Sequence, residues 1–65
     1  MSAKEFVKTI YPKAYVADCW NGQMSIMEDA DDEWHYISGV FRFESFAWED
    51  AAARLRNKML EILES

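Results

Sequence analysis

The chain has 65 residues and a formal net charge of −5, with 51% hydrophobic and 15% aromatic residues. A chain of this length has room for one core and no second domain, because it buries only about 60% of the surface that it exposes when unfolded. Cys19 is the only cysteine and His35 the only histidine, so we expect neither an intrachain disulfide nor a structural metal. We therefore expect a single domain over residues 1–65 that is stabilised by apolar and aromatic burial.

The distribution of charge narrows the classes of partner. Residues 14–53 hold nine acids and one base, which gives −8, and the two ends hold six bases and three acids, which gives +3. Such a chain is a poor direct ligand for nucleic acid or anionic membranes, because both need neutralising Lys and Arg. The longest apolar run is far short of a membrane span, and the first residues lack the charged-then-apolar layout typical of a secretory signal. A lone cysteine fits a reducing compartment. We expect a cytoplasmic protein that binds basic partners.

The first predicted element is a short helix at residues 3–11. Ser2 and Glu5 have the spacing of a capping box at its start. Apolar residues then recur at helical spacing until Pro12 stops the helix, namely Phe6, Val7, Ile10 and Tyr11.

A β-hairpin is predicted over residues 14–28, because Asn21-Gly22 is typical of a two-residue type I′ turn. With Trp20 opposite Gln23, this turn pairs Cys19 with Met24 and Val16 with Met27. One face is then apolar and is predicted to pack on the C-terminal helix; it carries Tyr15, Ala17, Cys19, Met24 and Ile26. The other face is mixed and carries Asp18, Gln23, Ser25, Val16, Trp20 and Met27.

A third strand is predicted within residues 34–43, where aromatic and β-branched residues are dense. Gly39 interrupts the strand pattern, which indicates a bulge or bend. The acidic segment 28–33 is then the connection between strands two and three, and we expect it to lie in solvent.

The C-terminal helix is predicted at about residues 46–63, with Ser45 as N-cap and Asp50 paired with Arg54 at i, i+4. Its apolar stripe should pack on the hairpin and consists of Trp48, Ala51, Ala52, Leu55, Met59, Ile62 and Leu63. The predicted fold class is α+β: a short N-terminal helix, a three-stranded antiparallel sheet and a long C-terminal helix packed on the sheet.

Catalysis and metal binding find little support in the residues present. A nucleophilic Cys19 would need an electropositive setting, whereas the predicted register buries it in the core and the nearby charge is negative. His35 is expected on the sheet surface. Asp29, Asp31 and Glu33 alternate as in a calcium loop, but the sixth position would be Trp34 instead of glycine. We expect no enzyme, no cofactor and no metal.

The acidic segment itself is the main functional candidate. Five acids in six residues, if extended, give about one charge per 4 Å, close to the charge per 3.4 Å of one DNA strand. The hypothesis is that these carboxylates occupy a basic nucleic-acid-binding surface, and the simpler alternative is a solvated loop that promotes solubility. The candidate partner-binding residues are Glu28, Asp29, Asp31, Asp32 and Glu33, with Glu44, Glu49 and Asp50 as extensions.

A second candidate from another class is an apolar patch on the mixed sheet face. It would consist of Val16, Trp20 and Met27, with Trp34 beside them. If the first helix leaves these residues uncovered, they suit self-association or docking in a small phage structural or assembly factor. The simpler alternative is that the first helix covers them.

The whole chain resembles, in style, the small acidic anti-CRISPR inhibitors that phages direct against type I surveillance complexes. The resemblance lies in the tiny size, the three-stranded sheet flanked by helices, the acidic middle with only Arg42 as a base, and the helix opening at residues 45–52. It carries no residue over by position. It implies a monomeric inhibitor in the host bacterial cytoplasm that binds an RNA-guided complex, in some members by mimicking DNA.

Overall fold

The computed structural model describes the backbone of residues 1–30 and 33–64 and the side chains of residues 1–28 and 35–64. The elements in chain order are α1 (Ala3–Ile10), β1 (Tyr15–Asp18), β2 (Met24–Ala30), β3 (Glu33–Tyr36) and α2 (Glu44–Glu64). The strands form one antiparallel sheet in the order β1-β2-β3, α2 packs on β2, and α1 packs on α2. The predicted α+β architecture is confirmed.

Helix α1 begins where the sequence predicts. The Ser2 hydroxyl accepts a hydrogen bond from the Glu5 backbone N–H at 3.1 Å, which satisfies one of the free donors of the first turn. The helix ends at Ile10, one residue before the predicted end, and the Tyr11 N–H closes it on the Val7 carbonyl at 2.7 Å. Val7 is fully buried and joins α1 to the core.

The hairpin turn is confirmed but the predicted strand register is wrong. Asn21 and Gly22 have φ angles of 66° and 74°, as a type I′ turn requires. The Gln23 N–H donates to the Trp20 carbonyl, yet the Gln23 carbonyl accepts from the Cys19 N–H at 2.8 Å. Cys19 and Trp20 therefore both oppose Gln23, and this β-bulge shifts every later pair by one residue.

The shift exchanges the two faces of β1. Val16 pairs with Ile26 instead of Met27, and both pack against the helices, with Ile26 fully buried. Tyr15, predicted to face the core, lies on the opposite face, where it is exposed. A one-residue slip has this effect because side chains alternate along a strand with period two.

Strand β3 is shorter than predicted and ends at Tyr36. Met27 pairs with Tyr36, but Met24 next pairs with Phe41, so two extra residues are inserted opposite β2. The predicted irregularity at Gly39 is confirmed, since it lies in this insertion. Ser38, 5% exposed, stabilises the insertion by accepting the Ile26 N–H on its Oγ at 2.9 Å.

We predicted that the whole acidic segment is a loop, and this prediction is wrong. Residues 28–30 belong to β2 and Glu33 begins β3, so only residues 31 and 32 connect the strands. Asp31 and Asp32, and the side chains of Asp29 and Glu33, lie outside the described residues. We call residues 28–33 the acidic hairpin.

Helix α2 begins at Glu44, two residues before the predicted start, so Ser45 lies within the helix and is not its N-cap. The predicted apolar stripe is buried only in its first part, at Trp48, Ala51, Ala52 and Leu55. Met59, Ile62 and Leu63 are 47%, 65% and 80% exposed, because the core ends before α2 does. No helix in the described part of the chain is long and apolar enough to cross a membrane.

Candidate functional site

The acidic hairpin holds five of the eight predicted partner-binding residues. The backbone register pairs Glu28 with His35, Asp29 with Trp34 and Ala30 with Glu33. Pairing therefore continues to the last residue on each side of the two-residue connection. The fold brings the backbones of Asp29 and Glu33 to the same end of the sheet, with Asp31 and Asp32 between them in the chain.

Glu28, at the base of the acidic hairpin, faces cations. It is half-buried and lines an open groove of about 430 Å³ between the sheet and α2. Arg54 and Lys58 line the α2 side of this groove, and His35 lies beside Glu28 on the sheet side. The remaining lining residues are Tyr11, Tyr36, Ile37 and Leu55. Glu28 is thus less available to an external partner than the sequence suggests.

The Asp50 carboxylate makes hydrogen bonds within the fold. Its Oδ2 accepts the Gly39 backbone N–H at 2.8 Å and the Arg54 Nε–H at 2.8 Å, so the predicted Asp50–Arg54 pair is confirmed. The Gly39 N–H, aided by Arg54, lowers the pKa of the Asp50 carboxyl against the opposing effect of burial. Sequence spacing identifies Arg54 but cannot identify Gly39, which approaches from the insertion after β3.

Asp50→Asn should reduce the free energy of unfolding by about 1 kcal/mol at pH 7, because the amide still accepts the Gly39 N–H but lacks the charge. Wild-type Asp50 has a lowered pKa, so its contribution is present above the ordinary value of 3.8 and is lost as the pH falls through the folded-state value. Urea unfolding from pH 7 to pH 2 should show the two proteins converge at the acid end.

Glu49→Gln is the matched control for Asp50→Asn, since Glu49 is its exposed neighbour. We expect Glu49→Gln to change stability by less than about 0.5 kcal/mol at any pH in this range. If the free energy of unfolding of Asp50→Asn stays below that of the wild type by the same amount down to pH 2, then the charge of Asp50 contributes nothing to stability.

Glu44 lies in the first turn of α2, where the helix dipole favours acids, and Glu49 lies in the second turn. Both are exposed, and Glu44 Oε2 accepts a hydrogen bond from Trp48 Nε1 at 3.3 Å. The groove contacts Leu55 and Lys58, which lie 11 and 14 residues after Glu44 and so about 16 to 21 Å further along the helix. Glu44 is therefore far along the helix from the groove that Glu28 lines.

Cys19 and His35 do not form a catalytic pair. The Cys19 N–H bonds to Gln23, whereas His35 pairs with Glu28, five residues and about 16 Å further along β2. Cys19 is half-buried, less than we predicted, and His35 is exposed on the sheet as predicted. Among the side chains that the structure describes, no three of His, Cys, Asp or Glu meet in a group suited to a metal ion.

The predicted apolar patch does not form as proposed. Val16 packs into the core, whereas Met27 shares the opposite face with Tyr15. Trp20 is 78% exposed in the turn, and the side chain of Trp34 lies outside the described residues. The expectation that α1 covers this patch is also wrong, since α1 packs mainly on α2.

The sheet face opposite Val16 and Ile26 carries a row of side chains that the predicted register did not bring together. By register, Tyr15, Met27 and Tyr36 lie side by side across the three strands, and Tyr36 also borders the groove described above. The two tyrosines are 39% and 56% exposed. The described residues thus include an aromatic sheet face, which is separate from the acidic segment that the sequence singles out. No protein-family model, curated protein or solved structure matches this chain.

Proposed function

We propose that this protein is a non-enzymatic inhibitor that uses its acidic hairpin to occupy a basic nucleic-acid-binding surface of another protein. The observation that carries the proposal is the pairing of β2 and β3 up to Ala30 and Glu33. This pairing brings the backbones of Asp29 and Glu33 to the same end of the sheet, and Asp31 and Asp32 lie between them in the sequence. Acids scattered over several loops would not present a partner with one region of high negative charge density.

Two cations of the protein lie near the base of the acidic hairpin. Arg54 and Lys58 line the groove at the level of Glu28, and Arg54 is already paired with Asp50. Each residue of β2 beyond Glu28 adds about 3.3 Å, so the Ala30 backbone is about 7 Å further along the strand. This distance approaches the Debye length of about 8 Å at physiological salt. Intramolecular neutralisation is therefore strongest at Glu28 and weaker beyond it.

The density of charge supports a polynucleotide as the ligand being imitated. Five acids in six residues correspond to about one charge per 4 Å in extended backbone, near the value for one DNA strand. Concentrating like charges costs stability, which a segment with only a structural role has no reason to bear. Attraction between this hairpin and a basic groove speeds association and weakens as salt increases.

The partner class that we propose is a basic nucleic-acid-binding protein or complex in the bacterial cytoplasm, such as a type I CRISPR surveillance complex. The resemblance to small acidic phage inhibitors supports this choice, as does the central charge of −8 between residues 14 and 53. Glu44 and Glu49 would form a separate extension at the start of α2. Asp50 contributes to the fold and would contact a partner only weakly.

The test is charge reversal of Asp31 and Asp32 to Lys in one variant. A pull-down from a bacterial host at low and high salt identifies the partner, and titration then compares the variant with the wild type. We expect at least about tenfold weaker binding for the variant, together with a smaller salt dependence and loss of competition with DNA.

The matched control is Glu5→Lys with Asp18→Lys, which changes the net charge equally at two exposed positions outside the acidic hairpin. It should bind nearly as the wild type does. Equal losses of binding in both variants would show that only the net charge of the protein matters. Unchanged binding in both would refute the proposal that the acidic hairpin imitates a polynucleotide.

The second candidate function is a small phage structural or assembly factor that docks through the aromatic sheet face. The row of Tyr15, Met27 and Tyr36 favours it, because exposed aromatic side chains are common anchors of protein interfaces. A partner captured equally well at high salt, and bound equally by both charge-reversal variants, would favour this function over inhibition.

A further inference from the structure

The open groove between the sheet and α2 carries charged side chains of opposite sign on its two walls. Glu28 and His35, directly opposite each other in the register of β2 and β3, line the sheet wall. Arg54 and Lys58, about one helical turn apart, line the helix wall. The groove has a volume of about 430 Å³, and small-molecule sites in proteins span about 300–1,000 Å³. It is therefore large enough for a small ligand.

The charges on the two walls do not neutralise each other by direct contact. Among the side chains that the structure describes, the one ion pair joins Asp50 to Arg54. Glu28 and Lys58 line the same groove without forming an ion pair, even though Glu28 is half-buried. The groove thus separates an acid from two bases, and a ligand that carries both signs of charge would complete this arrangement.

The helix wall suits an anionic group. Arg54 and Lys58 are four residues apart on α2, and like charges at this spacing repel each other. The hydrogen bond from Arg54 to Asp50 uses Nε, and the Nη groups of the guanidinium carry further donors. Lys58 makes no ion pair with any described residue. A carboxylate between Arg54 and Lys58 would accept charge-assisted hydrogen bonds from both and offset their repulsion.

The sheet wall suits a cationic group, because the Glu28 carboxylate attracts an ammonium group and repels a ligand that carries only negative charge. The rest of the lining includes apolar surface, since Leu55 is buried and Ile37 and Tyr11 are half-buried. Covering this surface with an aliphatic group would remove it from water. The groove therefore combines an anion site, a cation site and an apolar contact.

We propose that this groove binds a small zwitterion, namely an α-amino acid with an aliphatic side chain. The ligand carboxylate lies between Arg54 and Lys58, the ligand ammonium group faces Glu28, and the aliphatic side chain contacts Leu55 and Ile37. A ligand with one sign of charge satisfies one wall and is repelled by the other. This site does not depend on the proposed inhibition of a nucleic-acid-binding protein.

Nuclear magnetic resonance titration of the isotope-labelled full chain at pH 7 tests the proposal with matched probes. L-Leucine is compared with isocaproate, which lacks the ammonium group, and with isopentylamine, which lacks the carboxylate. We expect L-leucine to shift the amide signals of Ile37 and Leu55 and to bind at least about tenfold more tightly than either relative, because each relative loses a hydrogen bond to a charged group. Phosphoethanolamine, the zwitterion of a lipid headgroup, should bind more weakly than L-leucine because it has no aliphatic side chain.

Two charge-neutralising variants separate the roles of the walls. Glu28→Gln should abolish the preference for L-leucine over isocaproate, and Lys58→Gln should abolish the preference over isopentylamine. Lys8→Gln is the matched control, since Lys8 is an exposed lysine of α1 outside the groove, and it should bind L-leucine as the wild type does. Lys58 is also exposed, so the circular dichroism of Lys58→Gln should equal that of the wild type.

Absence of any chemical-shift change at about 10 mM L-leucine overturns the proposal. Isocaproate or isopentylamine binding as tightly as L-leucine also overturns it, because recognition would then use a single charge. Tighter binding of phosphoethanolamine than of L-leucine overturns the assignment to an amino acid. Preferences that persist in folded Glu28→Gln and Lys58→Gln overturn the roles given to these two side chains.

Discussion

Trp48→Ala is expected to leave the protein without a cooperative unfolding transition at room temperature. Trp48 is 4% exposed and lies in the core cluster with Val7, Ile26 and Ala51. Truncating a buried tryptophan costs about 3–5 kcal/mol through lost burial and the cavity left behind. A single core in a chain below 70–80 residues rarely supplies more than about 3–5 kcal/mol in total. One substitution therefore removes about as much free energy as the fold has.

Urea unfolding followed by far-ultraviolet circular dichroism measures this effect. Trp20→Ala is the control, because Trp20 is 78% exposed in the hairpin turn, and we expect a change below about 0.5 kcal/mol. Trp48→Phe should remain folded, because it keeps a buried aromatic ring. It loses only the smaller ring volume and the hydrogen bond to Glu44. A sharp transition in Trp48→Ala, near that of the wild type, would mean that the neighbouring side chains close the cavity.

Local sequence signals predict the elements of this fold well because each depends on nearby residues. Ser2 caps α1, Asn21-Gly22 adopts positive φ angles, and Asp50 pairs with Arg54 one helical turn away. The sequence also places Ala47, Ala51 and Ala52 at helical spacing, and these small residues let α2 approach its neighbours closely. Secondary structure and topology follow from such signals.

The errors arise where distant parts of the chain decide the outcome. The turn residues specify their own dihedral angles but not the bulge at Cys19 and Trp20, which shifts the register of β1. Periodicity identifies the apolar face of α2 but not the point at which the core stops covering it. The first error conceals the aromatic sheet face, and the second conceals the exposed end of α2.

The candidate site shows the same division. Composition alone locates the acid-rich segment, and the β2–β3 pairing then brings its two ends, Glu28–Ala30 and Glu33, next to each other. Composition cannot tell which acids make tertiary contacts within the fold. Asp50 is held by Gly39, eleven residues earlier, and Glu28 lies across a groove from Lys58. Such tertiary contacts separate the acids available to a partner from those that are not.

Ser38→Ala is expected to reduce the free energy of unfolding by about 2 kcal/mol, which is large for a domain of this size. Ile26 is fully buried, and its N–H donates to Ser38 Oγ at 2.9 Å in place of a carbonyl on the neighbouring strand. Alanine leaves this buried donor unsatisfied, and the cost of an unsatisfied donor exceeds the net gain of an ordinary hydrogen bond. Urea unfolding measures the loss, and hydrogen exchange at the Ile26 amide should accelerate with it.

Two further serines separate the role of Ser38 from the effect of losing any hydroxyl. Ser45→Ala, at an exposed position in α2, should change stability by less than about 0.5 kcal/mol. Ser25→Ala should have an intermediate effect, because the buried Ser25 hydroxyl donates to the Ser38 carbonyl at 3.0 Å, and an unfilled acceptor costs less than an unfilled donor. If Ser25→Ala proves more harmful than Ser38→Ala, then the Ser25 hydroxyl, and not the Ile26 N–H, holds the insertion after β3 against the sheet.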